Sequence, residues 1–167
     1  MATPTNLPAA ATVGQVYTAA NVNDLRGAFR VLQVVFATTS TVTQNNTNTF
    51  ADTTLTASIT PQASSNKVLI LVSQNGVYKT VGNTQTGCDI RLMRDATVIN
   101  SLAKNAAYNN TDSRNDVGGV SCCVLDSPAT TSAITYKTQF RNAVNATGVL
   151  VQNAGEASNI VLCEISA

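Results

Sequence analysis

Hydrophobic and polar positions follow two different rules along this chain, and the change falls near Phe29. Ahead of it, Leu7, Val13, Val16 and Tyr17 stand isolated among Ala, Thr and Asn, with Pro4 and Pro8 interrupting any helix. That pattern predicts an extended arm. Residues 19–28 suit one short helix: Thr18 is a good N-cap, Val22, Leu25 and Phe29 are spaced i, i+3, i+7, and Gly27 lies near the stop. A helix of about ten residues is unstable alone in water, so this turn must dock on its own domain or on a neighbour.

From residue 30 onward the pattern is β. Residues 30–38 hold Val31, Leu32, Val34, Val35 and Phe36 and predict a strand buried on more than one side. The stretch 44–48 is polar and predicts a loop. Residues 49–60 alternate, with Leu55, Ala57 and Ile59 on one face and Thr54, Thr56 and Ser58 on the other, up to Pro61. The Val68 to Val72 run predicts the most buried segment. Residues 88–94 and a return through Val98 and Ile99 form a hairpin around Asp95 and Ala96, followed by an exposed loop over 104–116. Segments 117–125, 134–140, 148–152 and 159–165 supply four more strands. Eight or nine strands without interleaved helices predict an all-β, antiparallel β-sandwich of jelly-roll type, preceded by the extended N-terminal arm with its one short helix. The expected organisation is a docking arm, 1–28, and a β-sandwich domain, 29–167, with no C-terminal domain.

Composition changes the picture of the surface. Charged residues are 11% of the 167-residue chain, against about 25% in ordinary soluble domains. Thr, Asn, Ser and Gln must cover what the charges do not. A formal net charge of +1 gives little repulsion between copies, which favours a homo-oligomer. Ten Lys and Arg are scattered and balanced by nine acids, so no nucleic-acid partner is expected. No apolar run approaches the ~20 residues of a membrane span and the N-terminus lacks the features of a signal peptide. Synthesis in a cytoplasm is expected, and the glycosylation triplets at Asn45, Asn109 and Asn145 read as by-products of abundant Asn and Thr.

Candidate chemistry is sparse. With no His, Ser-His-Asp and Cys-His nucleophiles are excluded. Asp112 with Asp116, or Asp89 with Asp95, could be nominated as a glycosidase pair, but they fall where turns and solvated loops use Asp, and no Trp is present to stack a sugar. Residues 112–116 lack the Gly and Glu of a calcium loop. Cys122 and Cys123 point to opposite faces of one strand and cannot jointly bind one metal, and with no His a zinc site would need all four sulfurs or carboxylates from distant segments. No enzyme activity, cofactor or metal is expected.

Two sets of residues carry a resemblance. Gly14-Gln15-Val16-Tyr17-Thr18-Ala19-Ala20-Asn21-Val22-Asn23-Asp24-Leu25 resembles a G-x-x-x-T-A-A-x-x-N leading segment near the N-terminus of tailed-phage virion proteins. The segments beginning at Arg30, Leu55, Ser65 and Leu92 resemble the β-domain of phage tail-fibre and head-decoration proteins. The resemblance implies a non-enzymatic virion component, usually trimeric, attached to the particle through its N-terminus. The leading expectation is a capsid decoration or cement protein whose arm clamps the major capsid protein, with Leu7, Val13, Val16, Tyr17, Val22, Leu25 and Phe29 as docking residues. A short tail-fibre or tail-adaptor subunit bound to tail proteins is the alternative, and a carbohydrate-binding or depolymerising module the third.

Overall fold

The computed structural model describes residues 14, 16, 18, 31–80, 86–109, 115–144 and 147–166. Ten strands occur among them: β1 (Val31–Thr39), β2 (Thr43–Asn45), β3 (Ala51–Ile59), β4 (Lys67–Lys79), β5 (Cys88–Arg94), β6 (Thr97–Ala106), β7 (Asn115–Asp126), β8 (Ile134–Asn142), β9 (Val149–Val151) and β10 (Ser158–Ile165). All pairings are antiparallel. One sheet runs β1-β10-β4-β7, and the other runs β3-β8-β5-β6. The short β9 pairs with the far end of β4, and β2 pairs with β9. With these two set aside, the chain has the strand order of an eight-stranded jelly roll. The all-β antiparallel sandwich read from the sequence is therefore the observed fold.

The reason for two layers lies in the period-2 alternation. In β3, Leu55, Ala57 and Ile59 are buried while Thr54, Thr56 and Ser58 are exposed, as the sequence predicts. They meet Val68, Ile70 and Val72 of β4, Ile160 and Leu162 of β10, and Leu92, Ile134 and Tyr136 from the second sheet. A second cluster joins Val77, Cys88, Ile90, Phe140, Val149 and Val151. Each fully buried large aliphatic side chain contributes roughly 1.5–3 kcal/mol relative to its exposed state. Between the clusters lies a buried polar belt. Thr53 and Thr138 share a 2.5 Å hydroxyl contact, Thr138 donates to Gln74 Oε1 at 2.7 Å, Gln74 donates to Ser158 Oγ at 3.0 Å, and the Gln152 amide meets the same oxygen at 2.9 Å. Satisfied polar groups at this depth fix strand register, because a slip would leave them unpaired.

β9 and β10 occupy the same edge of β4 in succession, and the step between them depends on two residues. Gln152 takes φ 56 and donates its N–H to Asn75 O at 2.9 Å. Opposite it, Gly76 takes φ +60, and a Cβ there would overlap the backbone of Gln152 and Asn153.

Four sequence expectations are corrected. The Val68 to Val72 run is not the most buried segment, since alternation puts Leu71 on the outer face of β4 at 41% exposure. β1 is not buried on more than one side: it is an edge strand whose Val31, Val34 and Phe36 are exposed. The polar stretch 44–48 is not simply a loop, since Thr43–Asn45 pairs with β9 and Asn45 is buried, donating to Thr49 O and Phe140 O at 2.9 Å each. Polar side chains there satisfy backbone carbonyls, which hydropathy does not register. The loop over 104–116 is shortened at both ends by β6 and β7. The expected helix over 19–28 lies outside the described residues.

Candidate interaction surfaces

Of the seven arm residues named from the sequence, Val16 is described and stands 80% exposed. Leu7, Val13, Tyr17, Val22, Leu25 and Phe29 lie outside the described residues, as does Asp112.

Among the described residues, several charged side chains take part in internal pairing. Asp89 pairs with Arg141 at 3.0 Å and accepts from Asn105 N–H at 3.0 Å, while Asp95 accepts from Thr135 N–H at 3.0 Å. Asp116 accepts from Gly118 N–H at 2.7 Å. At one end of the sandwich Asp126 of β7 accepts from Arg94 of β5 at 2.7 Å and from the Tyr136 hydroxyl of β8 at 2.7 Å, tying the two sheets together. Burial, with the hydrogen bond to Asp126, pushes the Tyr136 phenol upward. Glu164 is fully buried and accepts from Gln33 and Asn66 at 2.6 Å each and from Gln62 N–H at 2.7 Å. Burial raises its pKa, but these donors and the Ala63 N–H outweigh burial and hold it below the usual carboxylate value.

All four cysteines are free thiols. Burial pushes the Cys88 and Cys122 thiols up, which is the wrong direction for a nucleophile. Among the described residues no group of three or more His, Cys, Asp or Glu could hold a metal ion, and no helix is long and apolar enough to cross a membrane. Asn45 and Asn109 use their side chains internally, Asn109 Oδ1 accepting from the buried Lys79 at 2.6 Å.

The two outer faces of the sandwich differ sharply. On the β3-β8-β5-β6 sheet, a polar network runs across the outer side of β3, β8 and β5. Lys137 and Gln139 both donate to Asp52 at 2.8 Å, Arg91 donates to Gln139 at 2.7 Å, and the Arg91 and Arg141 guanidiniums lie 3.7 and 4.6 Å from the Phe50 ring centroid. Burial opposes the Asp52 charge, but the bonds from Lys137 and Gln139 hold its pKa down.

On the β1-β10-β4-β7 sheet the outer face is apolar, and sequence reasoning missed it. The registers place Val34, Cys163, Leu69 and Leu125 in one row across all four strands, and Phe36, Val161, Leu71 and Cys123 in the next. Val31 and Ile165 extend the patch at one end, beside Lys67. At the other end it gives way to the polar row Thr38, Asn159, Ser73 and Ser121. Val34 and Phe36 are 60% and 61% exposed, and Leu125 is 55%. A depression of about 480 Å³ opens between Leu71, Val161, Cys123, Ser73, Ser121 and Asn159. The signal was present in the alternation of 31–36, where Val and Phe occupy both faces of one strand.

No family model and no curated protein matches this chain. Among solved structures, it is similar to the VP2 subviral particle of infectious bursal disease virus at 12% identity and a TM-score of 0.43, over 81% of this chain and 33% of that one. It is also similar to the insecticidal delta-endotoxin Cry8Ea1 of Bacillus thuringiensis at 12% identity and a TM-score of 0.39, over 89% of this chain and 22% of that one. The chain thus spans a third or less of these two structures. The jelly-roll fold is given by the strand order.

Proposed function

We propose that this chain is a structural protein of a bacteriophage particle: a capsid decoration or cement protein that binds as an oligomer, a trimer by the resemblance, and clamps capsid subunits with residues 1–28. The observation that carries the reading is the apolar Val16 standing 80% exposed within the segment that resembles the leading segment of virion proteins. Contact of Val16 with a shell would remove its apolar surface from water. The resemblance of residues 14–23 to the leading segment of virion proteins supports it, as does the use of Asp89, Asp95, Asp126 and Glu164 in internal pairing.

The test is stoichiometry in purified virions, measured by mass spectrometry against the major capsid protein. About one copy per capsid subunit is expected, together with loss of particle binding when residues 1–28 are deleted. A ratio of a few per hundred would move the chain to a tail-fibre or tail-adaptor position, and unchanged binding by the truncated protein would sink the clamp.

A further inference from the structure

Lys79 ends the inward face of β4, beyond Gln74 and Val77, and is fully buried. Its register partner on β9 is Val149, and Val77 and Val149 both belong to the second core cluster. Burial at this depth takes a lysine ammonium out of water, a cost that proteins rarely accept. Here Nζ donates to Asn109 Oδ1 at 2.6 Å, and with a C=O bond of about 1.23 Å that contact holds the Asn109 carboxamide carbon within about 4 Å of Nζ. Asn109 lies shortly beyond the end of β6, in a segment that is itself fastened. Tyr108 N–H donates to Asn105 O at 3.1 Å, and Asn115, the register partner of Lys79 on β7, donates from Nδ2 to Ala107 O at 3.1 Å. A buried amine and a side-chain carboxamide are thus held face to face by three strands.

We infer that Lys79 and Asn109 form an intramolecular isopeptide bond once the domain has folded. The neutral amine of Lys79 adds to Cγ of Asn109, so that a new N–C bond forms. The Cγ–Nδ2 bond then breaks, and Nδ2 leaves as ammonia with a proton from the attacking nitrogen. The proton that the lysine ammonium gave up to become neutral ends on that ammonia. One alkylammonium and one carboxamide therefore give one secondary amide and one ammonium ion, with no redox partner. Two reactants held in fixed contact gain an effective concentration on the order of 10⁵ M or more, which is what folding supplies here. The product also replaces a buried charge by a neutral amide, which lowers the cost of burial. Asn109 is half-buried, so the leaving ammonium reaches water while Lys79 stays in the core. The bond joins β4 of one sheet to the segment that follows β6 of the other. It falls at the end of β4 opposite Val68, whose register partner Asp126 carries the noncovalent tie between the sheets. The inference stands without the virion reading.

Mass spectrometry of the purified full-length protein, intact and after trypsin digestion, tests it, with circular dichroism to confirm folding. The wild type is expected to be lighter by the mass of one ammonia, and to yield a branched peptide in which 68–91, uncleaved at Lys79, is joined to 105–114. Asn109→Ala and Lys79→Met should each regain the lost mass and give no branched peptide. The wild-type digest decides the matter even where a variant fails to fold. A folded wild type that trypsin cleaves after Lys79, with 105–114 recovered as a linear peptide of unchanged mass, overturns the inference and leaves an ordinary hydrogen bond. An ammonia loss that persists in Asn109→Ala overturns it equally, because the loss then comes from another amide.

Discussion

Glu164 shows how much one side chain can hold in place. It sits in β10, yet its donors come from β1 and from the turn that precedes β4, so one carboxylate fastens three segments. Replacing it by Gln puts an amide N–H against at least one of those donors, and Glu164→Gln should cost about 2 kcal/mol, read from chemical denaturation at neutral pH. Because the folded-state pKa is lowered from 4.5, the charge contributes its stability above that pH and loses it as pH falls through the folded value. The difference between wild type and variant should therefore shrink on acidification below about 4.5. A gap that stays constant down to pH 2 would show that the charge itself contributes nothing. Asp52 shifts in the same direction, but its side chain is 53% exposed and solvent screens it. None of this was legible in the sequence, where Glu164 is simply a polar residue interrupting an apolar strand.

At the level of elements, the sequence was readable wherever one face of a strand meets the core and the other meets water. β3 follows that rule, β5 follows it up to Leu92 with Met93 buried beside Lys137, and Asp95, at φ 49, makes the turn expected of it. Reading failed where the rule fails. β1 looks like an interior strand because both its faces are apolar, while its actual place is the sheet edge. β2 looks like loop because Asn45 is buried by hydrogen bonding and not by hydropathy. The seam at Asp126 was equally hidden, since it joins residues distant in sequence from both sheets. Asp126→Ala removes the shared acceptor of Arg94 and Tyr136 and should destabilise the domain by roughly 2–3 kcal/mol, measured by urea unfolding. Tyr136→Phe should cost only about 1 kcal/mol, because Arg94 still pairs with Asp126. Equal effects of the two changes would refute the seam.

For the whole molecule, low charge content led to an expectation of association without saying where on the surface it would fall. Among the described residues the exposed apolar surface is the outer face of the β1-β10-β4-β7 sheet, where Val34, Phe36 and Leu125 meet water. The order of that sheet has a further consequence, for synthesis. β1 is made before any other described strand, yet the strand it pairs with is β10, the last of them. At about 5–20 residues per second, the roughly 120 residues between them keep β1 unpaired on the ribosome for on the order of ten seconds. During that window Val34 and Phe36 sit on an open strand edge beside other nascent chains of the same sequence. The hazard in making this protein thus falls before folding begins, and slower translation lengthens it.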